Sequence, residues 1–201
     1  MRLGILGGTF DPVHYGHLLL AEAAREQCRL DQVWFMPAAI PPHKQGHSLS
    51  TVEQRIEMLE LAVGGDAGLI VSRLEAERGG VTYTVDTLAA LTAEDPRREL
   101  FFLMGADSLV DLPTWRQPDR ICELAIPAVV RRAGQEIDYS RLAEFVSAER
   151  RDLFARHQVE MPLVELSSHD IRDRIARRQS IRFRTPRAVE KYIESHGLYR
   201  A

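Results

Sequence analysis

GILGGTFDPVHYGHLLLAEAA (residues 4–24) carries the reading of this chain. A short apolar strand runs into two glycines, then an acid, a proline and two histidines spaced i, i+3, and then an apolar repeat of helical period. Gly7 and Gly8 let the backbone approach a ligand and turn its N–H groups outward. The helix that follows brings its positive end to the same place, which suits a phosphate. His14 and His17 share a face on a first helical turn, with Gly16 keeping the space between them open. Imidazole donates to phosphate oxygens and can be cationic near neutral pH. The loop is neither the dinucleotide fingerprint G-x-G-x-x-G nor a P-loop. Two other readings of the pair remain open at this point. It could supply two ligands of a zinc site, although no Cys or His cluster offers the rest. Or the glycines form only a tight turn and the histidines only cap a helix.

Strands and helices alternate outward from this stretch. RLGIL (2–6), QVWFMP (32–37), GLIVS (68–72), LFFLMG (100–105), LAIPAVVR (124–131) and PLVEL (162–166) read as strands. Pro127 makes the fifth irregular or an edge. Helices are expected over 18–28, over 52–63 behind a Thr51/Gln54 capping box, over 85–91 and over about 139–156. A further helix is expected after a Ser168 cap, and a last one started by Thr185 and Pro186 and ended by Gly197. Residues 2–6 and 100–104 are apolar throughout, as a central parallel strand must be. The expected fold class is therefore α/β: a doubly wound, mostly parallel sheet in one domain, 1–201, with a small helical C-terminal part from 167.

With 201 residues, 45% of them apolar, the chain can bury a core without disulfides. Its net charge of −3 argues against nucleic acid as a partner. Cys28 and Cys122 lack metal or redox spacing and read as buried reduced thiols. No secretory pattern opens the sequence and no apolar run reaches the roughly 20 residues that span a bilayer. The expectation is a cytoplasmic protein without membrane contact; a homo-oligomer is compatible with the sequence.

The unusual residues collect at predicted strand ends. Gly7–His17 follows the first strand, AAIPPHK (38–44) the second, GADSL (105–109) the fourth and SSHDIR (167–172) the last. Open α/β sheets build their sites at that rim, so one shared crevice is expected.

GGTFDPVHYGH closely resembles the G-x-F-D-x-x-H-x-G-H signature of the adenylyl- and cytidylyltransferase superfamily. PPHK (41–44), GGVTYTVDTL (79–88), FLMGADSLVDLPTW (102–115), LSSHDIR (166–172) and TPRAVEKYIESHGLY (185–199) further resemble the bacterial nicotinate-nucleotide adenylyltransferases, in order and over almost the whole chain. Two departures are His169, where Thr or Arg is common, and Phe183-Arg184-Thr185-Pro186 in place of Tyr-Leu-Val-Pro. The resemblance implies transfer of the adenylyl group of ATP to nicotinate mononucleotide, with pyrophosphate released. It implies that His14, His17, Lys44 and Arg172 serve the reacting phosphates. It places Gly7, Gly8, Thr9, Phe10, Gly105, Asp107, Ser167 and Ser168 around ATP. It places Lys44, Tyr83, Thr84, Asp107 and Trp115 around the mononucleotide, Trp115 offering a flat face to the pyridine ring. Asp11 is expected to orient its loop rather than to do chemistry, and most of the seven arginines in 172–187 to face solvent. Mg2+ is implied by the triphosphate, with no ligand residue assigned. Rival readings are a transferase for another acceptor or a cytidylyl donor, a nucleotide-binding regulator without catalysis, and a redox enzyme, which would lack its glycine fingerprint.

Overall fold

The computed structural model describes residues 1–40, 49–132, 136–162 and 164–200. Six strands form one sheet in the order β3-β2-β1-β4-β5-β6, and every neighbouring pair is parallel. These are β1 (Arg2–Gly8), β2 (Gln32–Pro37), β3 (Leu69–Val71), β4 (Glu99–Gly105), β5 (Ala125–Arg132) and β6 (Val159–Met161). β1 and β4 lie at the centre, and Leu3, Ile5, Phe101 and Leu103 are almost fully buried. Burial on both faces explains their unbroken apolar sequence.

The chain leaves β1 for β2 and β3 on one side, then crosses over to β4, β5 and β6 on the other. α1 (Tyr15–Gln27) and α2 (Val52–Val63) make the first two crossovers, and α4 (Thr84–Glu94), after a short α3 (Leu74–Arg78), makes the third. α5 (Ala106–Asp111) and α6 (Pro118–Leu124) link β4 to β5, and α7 (Ala148–Ala155) leads to β6. Right-handed crossovers put α1 and α2 on one face and α4 and α6 on the other. The strand order reverses between β1 and β4, which leaves a crevice above their carboxyl ends. The C-terminal helices α8 (Ser168–Ala176) and α9 (Arg187–His196) follow, and α9 packs on α2.

Several expected boundaries move. α1 starts at Tyr15, so His14 is its N-cap and His17 its third residue. The final strand is Val159–Met161, not 162–166, because Pro162 has no N–H to extend the ladder with β5. The helix expected over 139–156 is a 3-10 turn at Ser140–Leu142 followed by α7, whose cap Ser147 accepts from the Arg150 N–H. Ser147 offers the backbone a cap in mid-segment, and the helix begins there. Ser167, not Ser168, caps α8, accepting from the Asp170 N–H at 3.0 Å. Pro186 occupies the N-cap of α9, while the Thr185 hydroxyl donates to Val13 O at 2.7 Å. Pro127 does lie in β5, paired with Phe102, at a point where β6 has not yet joined the other side. Cys28 and Cys122 are buried free thiols, and burial pushes Cys122 up to about 12.

Candidate active site

The β1–α1 loop is the centre of the site. Gly8 ends β1, and a Cβ there would come within 2.9 Å of the Phe10 ring. Phe10 is itself buried in a left-handed conformation, φ 52°. Its ring packs edge-on to His17, with centroids 5.0 Å apart. The His14 and His17 rings stack at 3.7 Å, and the His14 N–H donates to His17 Nδ1 at 3.3 Å. Since that nitrogen accepts, a neutral His17 carries its proton on Nε2.

His14 is only 6% exposed, and its Nδ1 is buried without a hydrogen-bond partner among the described residues. The ring sits over Gly16, whose Cβ, if it had one, would lie 3.0 Å from His14 Cε1 and Nδ1. Gly16 thus leaves room for the His14 ring, but the space expected between the two histidines is closed, because their rings stack. Burial pulls the His14 pKa from 6.5 down to about 4. His14 is therefore neutral at pH 7 in the free protein; of the two properties that the sequence reading allows an imidazole, donor and possible cation, the free ring keeps the first. The positive end of α1 favours a bare lone pair on Nδ1, leaving the proton on Nε2.

A buried polar network fixes the loop from below. Asp11 is fully buried; its Oδ1 accepts from the Tyr199 hydroxyl at 2.6 Å and its Oδ2 from the Ser50 N–H at 3.4 Å. The Ser50 hydroxyl donates in turn to the Tyr199 oxygen at 3.1 Å. Burial and the Asp11 carboxylate drive the Tyr199 phenol far above its usual pKa, so it stays a donor. Asp11 thus orients the loop, as the sequence reading has it. Arg55, 1% exposed, donates to Thr9 O at 2.9 Å, Ala39 O at 3.2 Å and Ser50 O at 3.2 Å. It joins the β1–α1 loop to the segments after β2 and before α2. Sequence reasoning missed it, though a charge at 55 interrupts the apolar stripe of Ile56, Leu59 and Val63.

α8 presses its first turn against the same loop. The Ser168 hydroxyl donates to Pro12 O at 2.8 Å, and Arg172 Nη1 donates to Asp11 O at 2.7 Å. Ser168 and Arg172 therefore meet the β1–α1 loop, as the SSHDIR motif suggests, but part of each donates to that loop. Ser167 is used as the cap, and His169 is exposed. Gly105 and Asp107 lie at the carboxyl end of β4, next to β1: Gly105 is the N-cap of α5 and Asp107 is exposed in its first turn. Lys44 and the PPHK motif lie outside the described residues.

On the other side of Gly7–Thr9 lies a cavity of about 280 Å³. Its walls bring together Gly8, Tyr83, Thr84 and Trp115 with Glu75 and Phe102. Trp115 is half-buried and braced edge-on by Phe102 at 5.9 Å. Tyr83 is the N-cap of α4 but supplies no side-chain cap. The first amides of a helix have no intrahelical partner, and Thr84, which begins α4, lines the cavity. The Arg116 guanidinium stacks over the Tyr83 ring at 4.7 Å. His14, His17, Ser167, Ser168, Arg172, Gly105 and Asp107 do not line this cavity; they flank the glycine loop that forms one of its walls. The two halves of the predicted site thus meet at residues 7–9. Glu75, Thr82 and Arg116 were missed from sequence, because GG and TYT mark that segment as a loop without showing what it packs against.

No helix among the described residues is long and apolar enough to cross a membrane. Residues 5–174 match the family described as Cytidylyltransferase-like. A probable nicotinate-nucleotide adenylyltransferase of Thermomicrobium roseum is 46% identical over 199 residues, covering 99% of this chain and 92% of that one. One of Thermus thermophilus is 44% identical over the full length of both. Among solved structures, a Plasmodium falciparum nicotinic acid mononucleotide adenylyltransferase complexed with NaAD superposes with a TM-score of 0.79 over 98% of this chain and 97% of that one. At 19% identity, that likeness speaks for the fold alone. With the family model matched over residues 5–174 and these relatives matched over essentially the whole chain, the chain belongs to the cytidylyltransferase-like family, among the nicotinate-nucleotide adenylyltransferases.

Proposed function

We propose that the protein transfers the adenylyl group of ATP to nicotinate mononucleotide, giving nicotinate adenine dinucleotide and pyrophosphate, as a step of NAD biosynthesis. The observation that carries this reading is the junction at Gly7–Thr9, where a stacked imidazole pair at a helix N-terminus borders an aromatic-walled cavity. A phosphate oxygen of the mononucleotide attacks the α-phosphorus, the new P–O bond forms, and the bond to the β-phosphate bridging oxygen breaks. The attacking oxygen is already ionised, so no protein nucleophile is needed. Positioning and charge stabilisation supply the acceleration.

In this reading the amides of Gly8, Thr9 and Phe10 and the Nε2–H groups of His14 and His17 receive the triphosphate. Arg172 and the first turn of α8, with Ser167 and Ser168, contribute further donors, and Gly105 and Asp107 flank the nucleoside. Polyphosphate beside His14 favours its protonated form, so a ring that is neutral in the free protein gains proton affinity on binding. Trp115 stacks on the pyridine ring, and the free amides before Thr84 and Val85 receive the nicotinate carboxylate. Lys44 keeps the role the resemblance implies. We expect Mg2+ to travel with the triphosphate. Substrate phosphates usually supply much of its coordination, and no residue is assigned to it.

Pyrophosphate release from ATP is measured with nicotinate mononucleotide and with nicotinamide mononucleotide as acceptor. The acid should be strongly preferred. Equal or better turnover of the amide, or turnover with neither, refutes the proposal.

A further inference from the structure

Glu75 is a carboxylate that is only 7% exposed, and it lies in the wall of the cavity that holds Tyr83, Thr84 and Trp115. Its Oε1 accepts from the Thr87 hydroxyl at 2.6 Å, whereas the nearby Thr82 hydroxyl donates to Ile40 O at 3.5 Å. The Thr87 oxygen accepts in turn from Arg78 Nη2 at 2.7 Å. Thr82 itself is anchored to the end of the β2 segment, its N–H donating to Ile40 O at 3.2 Å.

Thr82 and Thr87 stand just before and just after the first turn of α4. Glu75 therefore holds the fourth helical position, while the Ile40 carbonyl holds the position before the N-cap. Apolar pairs at those positions commonly fix the angle at which a chain joins its helix. Here the helical side of that joint is made by a buried carboxylate, whose desolvation opposes folding and raises its own pKa. A joint that served stability alone would be better made of two apolar side chains. What the carboxylate adds is direction: the Thr87 hydroxyl, just past the first turn, must point at one fixed group in the cavity wall. That fixes the roll of the turn as well as its angle, and so the aim of the uncapped amides at Thr84 and Val85.

We propose that Glu75 is a positioning residue for acceptor recognition, holding the first turn of α4 so that its free amides face the acceptor's carboxylate across the cavity. This rests on the acceptor assignment made above. Its reach is selective: Glu75 bonds neither the β1–α1 loop nor α8, so the ATP half should not feel its loss.

The test compares wild type with Glu75→Leu, Glu75→Gln and Thr87→Val in steady-state kinetics, varying ATP and nicotinate mononucleotide separately. Leu keeps the volume and makes an apolar joint; Gln keeps an acceptor oxygen; Thr87→Val breaks the same bond from the other end. Glu75→Leu and Thr87→Val should each raise KM for nicotinate mononucleotide by about tenfold or more, with kcat and KM for ATP within about twofold. Glu75→Gln should restore KM for the acceptor to within about threefold of wild type. An unchanged acceptor KM, a parallel rise in both KM values, or failure of both Leu and Val variants to fold overturns the proposal, the last by showing a structural role. Wild type separates the two levels of the argument. If it makes no dinucleotide from nicotinate mononucleotide, the functional reading fails; if it does and the variants behave like it, only the role of Glu75 fails.

Discussion

Acidification should destabilise this protein through a single imidazole. His14 is buried, its Nδ1 has no partner among the described residues, and its pKa lies at about 4 rather than 6.5. Between those values the unfolded chain binds a proton that the folded chain refuses. The contribution of this group to stability is complete above pH 6.5 and is lost as pH falls towards 4. At about 1.4 kcal/mol per pH unit the full loss is about 3 kcal/mol, and about 2 kcal/mol of it is gone by pH 5. That is a large part of the 5–15 kcal/mol or so that holds a typical domain together. Other groups also titrate in this range. Burial raises the pKa of Glu75, so its protonation acts in the opposite sense. The assay must therefore be a difference. Urea unfolding of wild type and of His14→Asn, which cannot titrate, is compared at pH 7.5, 6 and 5. Wild type should lose about 2 kcal/mol more than the variant between the first and last points. Parallel losses would show that His14 is not a buried neutral ring, and the account of the phosphate loop would fall with it.

Gly16→Ala should separate helix stability from activity. It adds up to about 1 kcal/mol of helix propensity, but its methyl lands 3.0 Å from the His14 ring; turnover should fall about tenfold or more with little change in Tm, and full activity would show that the ring's placement is not critical. Tyr199→Phe removes the 2.6 Å bond to the buried Asp11 carboxylate and should cost about 2–3 kcal/mol in urea unfolding, whereas a loss below about 0.5 kcal/mol would mean the network is dispensable. Trp115→Ala should raise KM for the mononucleotide about tenfold or more while leaving KM for ATP within about threefold; equal losses for both substrates would refute ring stacking.

Much of the architecture was legible because it is written in local periodicity. The unbroken apolar runs of β1 and β4 announced central parallel strands, and Thr51 and Gln54 announced the start of α2. The errors fall where a local pattern had two solutions. PLVEL looks like a strand, yet Pro162 cannot donate to the ladder, so the preceding Val159–Met161 pairs instead. Residues 139–156 carry a helical pattern, but Ser147 caps a new helix within it. Glu75 and Arg55 were invisible as functional groups because a buried charge looks like any surface charge until its neighbours are known.

The sequence by itself determined the strand–glycine–helix unit, the crevice at the strand ends and the residue types gathered there, since backbone freedom, helix polarity and apolar spacing act over a few residues. The tertiary structure alone decided that His14 is neutral, that Asp11 is tied to Tyr199 across 188 positions of chain, and that Glu75 holds Thr87 beside the first turn of α4. Charge state and aim depend on desolvation and on partners brought together by folding, and neither is encoded in the spacing of neighbouring residues.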